Sequence, residues 1–185
     1  DTNPQSTYRA PAIGSDSAEE IQGRWIVRSY LALAASGVDR VQLFMLRDVN
    51  AGNPVQFNSS GLTAEQWNQH QPKRSWYYVA TLRHVLRNTR FESEIPSGNA
   101  TVRIYRFRSE SKPPREVYAV WCPTSNSTEV AGFSLSLPNA TTAPVTTLDP
   151  QSPTGRSTSL AVETGKASLT VAERPVFVTV PGGSL

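Results

Sequence analysis

Hydrophobic and polar residues alternate with two different periods along this chain, and the change falls near residue 95. Over 16–36, Ile21, Trp25, Tyr30, Leu31 and Leu33 form a broad apolar surface, the spacing of a helix. Ser17 followed three residues later by Glu20 has the spacing of a capping box, and Gly37 stands where a left-handed C-cap is wanted. The run Val41-Gln42-Leu43-Phe44-Met45-Leu46 is nearly continuously apolar, which predicts a parallel strand over 40–47 covered on both faces. It breaks into charge at Arg47-Asp48. Residues 49–74 show neither period and carry Gly52, Pro54, Gly61 and Pro72, so they read as one long loop. A second helix is predicted from about Ser75 to Arg90, with Trp76, Val79, Leu82, Val85 and Leu86 inward. Arg83, Arg87 and Arg90 form its solvated side.

Beyond a short junction at 91–100 the pattern becomes short strands and turns. Strands are expected near 101–108, 116–122, 131–137, 143–148, 157–163, 167–172 and 175–180. Phe133, Leu135 and Leu137 alternate with Ser134 and Ser136, and Gly165-Lys166 suits a hairpin turn. So many short strands predict an antiparallel β-sandwich. In such a strand Val117, Ala119 and Trp121 share one face and Tyr118, Val120 and Cys122 the other. Trp121 is expected beneath Val176 and Val178, or beneath Phe177 if the register shifts by one. The expected division is a helix–strand–loop–helix portion over 1–94 and a β-sandwich domain over 95–185.

Composition narrows the function classes. The chain has 185 residues, 38% of them hydrophobic, which supports a buried core, and no apolar run approaches the ~18 residues of a membrane span. Net charge is +3, but the charges are evenly spread: 10 basic against 9 acidic residues in 1–95, and 8 against 6 in the rest. A nucleic-acid footprint would concentrate them, so no nucleic-acid partner is expected. The single cysteine, Cys122, excludes an internal disulfide framework and reads as a buried thiol. Four Asn-x-Ser/Thr sequons, at Asn58, Asn99, Asn126 and Asn139, fit a secreted or extracytoplasmic protein. The chain starts without an initiator Met, and an upstream segment is expected.

Motifs for nucleophilic serine, dinucleotide, P-loop and zinc-protease chemistry are absent from the sequence. His70 and His84 have no partner at metal-ligand spacing, so neither a metal nor a cofactor is expected.

The order DTNPQSTYRAPAIG, helix, DRVQLFMLRDV, long loop and SWYYVATLRHVL resembles the last quarter of the large (β/α)8 clan of retaining glycoside hydrolases. The second half, closing on GKASLTVAERPVFV, resembles the β-sandwich that follows such barrels. The resemblance implies an α+β chain: the last βα elements of a (β/α)8 barrel followed by an antiparallel β-sandwich. It makes 17–36 the seventh helix, 40–47 the eighth strand and 75–90 the eighth helix.

It also implies that both catalytic glutamates precede Asp1. Glycosidic cleavage needs two carboxyl groups flanking the bond, and the acids here offer no such pair: Glu19 and Glu20 suit a helix N-terminus, and Glu92 and Glu94 flank the junction. No catalytic residue is therefore assigned within the chain, which alone is expected to be inactive. By the barrel analogy the carboxyl end of strand 40–47 faces substrate, so Arg47, Asp48 and Trp67 are the candidate substrate contacts. Trp67 either stacks on a sugar ring or packs down on the barrel rim. The implied partners are a polysaccharide or oligosaccharide and the remainder of the barrel. The alternative is a non-catalytic carbohydrate-binding or adhesive module, for which Tyr105, Phe107, Tyr118 and Trp121 would have to form an exposed aromatic strip.

Overall fold

A computed structural model describes residues 1–112 and 114–181. The fold is α+β, mostly antiparallel sheet with two helices. Helix α1 (Ala18–Ala35) starts where Ser17 accepts the Glu20 N–H at 3.3 Å. The reciprocal half of the capping box does not form, because the Glu20 carboxylate turns inward to meet charged partners. Gly37, at φ +78°, closes the helix as expected, and the next amide, of Val38, reaches back to the Leu33 carbonyl.

Helix α2 (Arg74–Val85) is shorter than its pattern predicts. Asn88 takes the left-handed conformation at φ +58°, and the Thr89 hydroxyl donates to the Leu86 carbonyl. The chain then turns straight into a strand, so Arg87 and Arg90 lie off the helix.

That strand, β1 (Thr89–Ile95), occupies most of the expected junction. Its pattern is a strand's: Phe91, Ser93 and Ile95 alternate with Glu92 and Glu94, which pair with arginines of the neighbouring strand. The other strands are β2 (Arg103–Ser109), β3 (Arg115–Trp121), β4 (Glu129–Ser136), β5 (Thr142–Asp149), β6 (Ser152–Ala161), β7 (Lys166–Ala172) and β8 (Val176–Pro181), close to the predicted positions. One sheet has the order β1-β2-β3-β8-β5-β6, and β4 pairs with β7 in a second. All these pairings are antiparallel.

The inner strands of the six-stranded sheet are buried on both faces. Tyr105, Phe107, Val117, Ala119, Trp121, Leu148 and Phe177 pack against Val27 and Leu31 of α1 and Tyr78, Leu82 and Val85 of α2. On the other face Ile104, Tyr118, Val120, Cys122, Val145 and Val178 meet Phe133, Leu135, Ala167, Leu169 and Val171. The predicted alternation of 117–122 therefore holds. Trp121 lies on the Phe177 face and not with Val178, and its ring meets Tyr105 edge-on at 4.9 Å.

One expectation fails in its local structure. Residues 40–47 form no strand; a single isolated bridge joins Arg47 to Thr63. Among the described residues, the amides of 41–46 make no backbone hydrogen bond. Phe44 and Leu46 are 70% and 69% exposed. A parallel strand exists only by pairing with neighbours, and among the described residues only Leu62 and Thr63 pair with this segment, at its Leu46 and Arg47 end. Among the described residues no helix is long and apolar enough to cross a membrane.

Candidate functional site

The long loop at 49–73 is held in place by buried polar side chains. Gly61 lies directly against the chain at Arg47-Asp48, where any side chain would collide: a Cβ would sit 2.3 Å from the Arg47 carbonyl carbon. This approach lets the Gly61 N–H donate to Asp48 Oδ1 at 2.7 Å. Lys73 Nζ, at the start of α2, donates to both Asp48 carboxylate oxygens at 3.1 and 2.9 Å, and also to Thr2 Oγ1 and the Ser59 carbonyl. Burial pushes the Asp48 carboxyl above its ordinary range, against the opposing pull of Lys73 and the Gly61 N–H. A buried carboxyl with a raised pKa and one specific cation is a functional-site signature, though structural ion pairs share it.

The first residues of the chain join the same cluster. Buried Ser59 accepts from the amides of Thr2 and Asn3 through Oγ at 3.0 and 2.9 Å. Asn3 Nδ2 donates to the Ala51 carbonyl, and the Ala51 N–H donates to Glu65 Oε1, both at 2.6 Å. Glu65 also accepts from Asn68, and these donors, the Ala51 N–H foremost, hold its carboxyl below the ordinary range. The Asp1 carboxylate accepts from Ser6 Oγ at 2.8 Å and from the amides of Phe57 and Ser59 at 3.2 and 3.3 Å.

A second buried charge centre ties the helices to the sheet. Glu20, 3% exposed, accepts from Arg24 Nε at 2.7 Å, Arg174 Nη2 at 2.7 Å, Tyr78 Oη at 2.5 Å and Arg74 Nη1 at 3.4 Å. Burial pushes Glu20 up, but the Tyr78 hydroxyl and the Arg174 and Arg24 guanidinium groups outweigh it and hold the carboxyl below its usual range.

The structure brings Arg47 and Asp48 into the loop cluster and leaves them facing differently. Asp48 points inward to Lys73, whereas Arg47 is exposed. Trp67 is exposed on a short 3-10 turn, Gln66–Asn68, two residues beyond Glu65. Tyr105, Phe107, Tyr118 and Trp121 are all buried and form no surface strip. Among the described residues no group of acids, histidines and cysteine could hold a metal ion. Asp1, Ser59 and Lys73 carried no local sequence signal as site residues; only the unpatterned length of the loop hinted that something must hold it.

With this arrangement in view, solved structures are informative where sequence comparison is not: no protein-family model matches the chain and no curated protein is similar to it. A family 39 glycoside hydrolase from the gut symbiont Bacteroides cellulosilyticus superposes with a TM-score of 0.64 at 15% identity, over 90% of this chain and 31% of its own. The fold is that of part of a glycoside hydrolase. The catalytic domain of a family 30 xylanase C from Talaromyces cellulolyticus gives a TM-score of 0.54 at 15% identity, covering 96% of this chain and 38% of its own. A family 30 endoxylanase from Clostridium papyrosolvens gives 0.51 at 11% identity, covering 85% and 38%. The chain thus spans about a third of the length of the proteins it resembles.

Proposed function

We propose that the chain is the C-terminal portion of a secreted, polysaccharide-degrading glycoside hydrolase. In this reading residues 1–94, apart from β1, which joins the sandwich sheet, complete a (β/α)8 barrel. Residues 95–185 form the β-sandwich domain that supports the barrel, and the catalytic glutamates lie upstream. The observation that carries it is the state of 41–46. A run with the composition of a strand buried on both faces has amides that make no backbone hydrogen bond among the described residues, with Phe44 and Leu46 exposed. Beside it, apolar surface of the helices is also uncovered. Trp25 and Ile26 of α1, with Val41 and Leu43, line a groove of 320 Å³; Trp76 and Val79 of α2, with Leu46 and Leu62, line one of 1060 Å³. Neighbouring barrel strands and helices would cover all of it.

Arg47, Asp48 and Trp67 then stand at the carboxyl end of the eighth strand, the substrate side of a barrel. Arg47 and Trp67 offer a cation and an aromatic face to a glycan, while Asp48 and Lys73 fix the loop that carries them. Xylan is the first substrate to test, since two of the similar structures are xylanases. The full reading-frame product is expected to hydrolyse xylan or another β-linked polysaccharide, and residues 1–185 alone to hydrolyse none. Turnover by the isolated chain that a substitution within it abolishes would refute this reading.

A further inference from the structure

Phe57 sits in the long loop with φ +70°, a left-handed conformation that bulky side chains rarely adopt. Its backbone is held there from both sides. The Phe57 N–H donates to Asp1 Oδ2 at 3.2 Å, and its carbonyl accepts from Ser60 Oγ at 3.0 Å. The next two residues are also tied, since the Asn58 N–H reaches the Val55 carbonyl and the Ser59 N–H reaches Asp1 Oδ1. The ring is 45% exposed and meets Phe44 edge-on at 5.4 Å. Within residues 1–185 the ring is thus only partly covered, and Phe44 is its one aromatic neighbour among the described residues.

We infer that Phe57 is a stacking platform for a sugar ring of the polysaccharide, with Asp1 as the positioning residue that holds it. The inference rests on the functional reading proposed above. It adds a substrate-binding residue that the sequence pattern did not single out. A pyranose presents an apolar C–H face and a polar hydroxyl edge. The loop carries an aromatic face, and Gln56 and Asn58 beside it in the sequence have amides able to meet sugar hydroxyls. The ring belongs to the loop that follows 41–46, whose carboxyl end faces substrate in a completed barrel. Polar cross-links through Asp1, Ser59 and Lys73 keep that loop in one conformation before substrate arrives, which lowers the ordering cost of binding.

The test uses the full reading-frame product with xylohexaose, comparing wild type, Phe57→Ala and Phe57→Trp, with thermal melts as the check on folding. Phe57→Ala is expected to raise KM by about tenfold, with the loss falling on KM rather than on kcat. Phe57→Trp keeps an aromatic face and is expected to stay within about threefold of wild type. An active enzyme whose KM is unchanged by Phe57→Ala overturns this inference alone, as does equal impairment by alanine and tryptophan. A full-length protein that hydrolyses no glycan overturns the functional reading and takes this inference with it.

Discussion

Replacing Trp121 by alanine should destabilise the protein by about 3–5 kcal/mol, the range for truncating a large aromatic in a packed core. Trp121 is 2% exposed and lies where the sheet meets the helices, among Val117, Ala119, Phe177 and the inner residues of α1 and α2. The edge-on contact with Tyr105 adds an aromatic-pair component of about 0.5–1.5 kcal/mol. The next residues, Cys122-Pro123, end the strand, so the backbone cannot slide to refill the cavity. A loss of this size is a large fraction of a domain's whole stability of about 5–15 kcal/mol. Urea unfolding of residues 1–185 measures it directly. A loss under about 1 kcal/mol with the fold intact would mean that Trp121 is not the packing centre described here.

A comparable loss is expected from Glu20→Gln. The substitution keeps the shape but removes the charge that Arg24, Arg174 and Arg74 surround. Breaking a buried ion pair from one side costs about 3–5 kcal/mol, because the partner charges stay behind. The lower end is expected here, since Arg24 keeps Asp16 and the other two guanidinium groups are partly exposed.

The effect carries a pH signature. The folded Glu20 carboxyl titrates below its unfolded value of about 4.3, so its contribution is complete above that pH. It is lost as pH falls through the lower, folded pKa. The stability difference between wild type and Glu20→Gln should therefore be largest at pH 7 and should shrink as the pH is lowered toward 2. Asp48 runs the other way. Its raised carboxyl favours the folded state below the unfolded pKa, and that contribution fades as pH rises through the folded one. An equal difference at both ends of the pH range would show that Glu20 is not held as an ionised hub.

Much of the architecture could be read from local pattern, and what could not is instructive. Ser17 marked the start of α1 and Gly37 its end because caps act within one turn. The alternation around Phe133–Leu137 and Val117–Cys122 placed strands because one residue's face fixes the next. Strand β1 was missed because its glutamates looked like a polar junction; only the arginines of β2, across the sheet, make them strand residues. The pattern of 41–46 is that of a doubly covered strand, yet pairing is a property of neighbours, and among the described residues only Leu62 and Thr63 meet its end. The loop cluster was harder still. Lys73 meets Asp48 from 25 residues away, and Arg174 meets Glu20 from 154. No window on the sequence holds both members of such a pair.

Hydrogen exchange at 41–46 tests most directly whether this segment is a barrel strand awaiting its neighbours. Amides exchange slowly when they are paired and buried, and quickly when they are open to water. In residues 1–185 alone, the amides of Val41, Gln42, Leu43, Phe44, Met45 and Leu46 should exchange as unprotected chain does. In the full reading-frame product the same amides should slow by at least about a hundredfold, to the level of the neighbouring core strands. Equally rapid exchange in both would contradict the account, because the segment would then have no strand partners to gain.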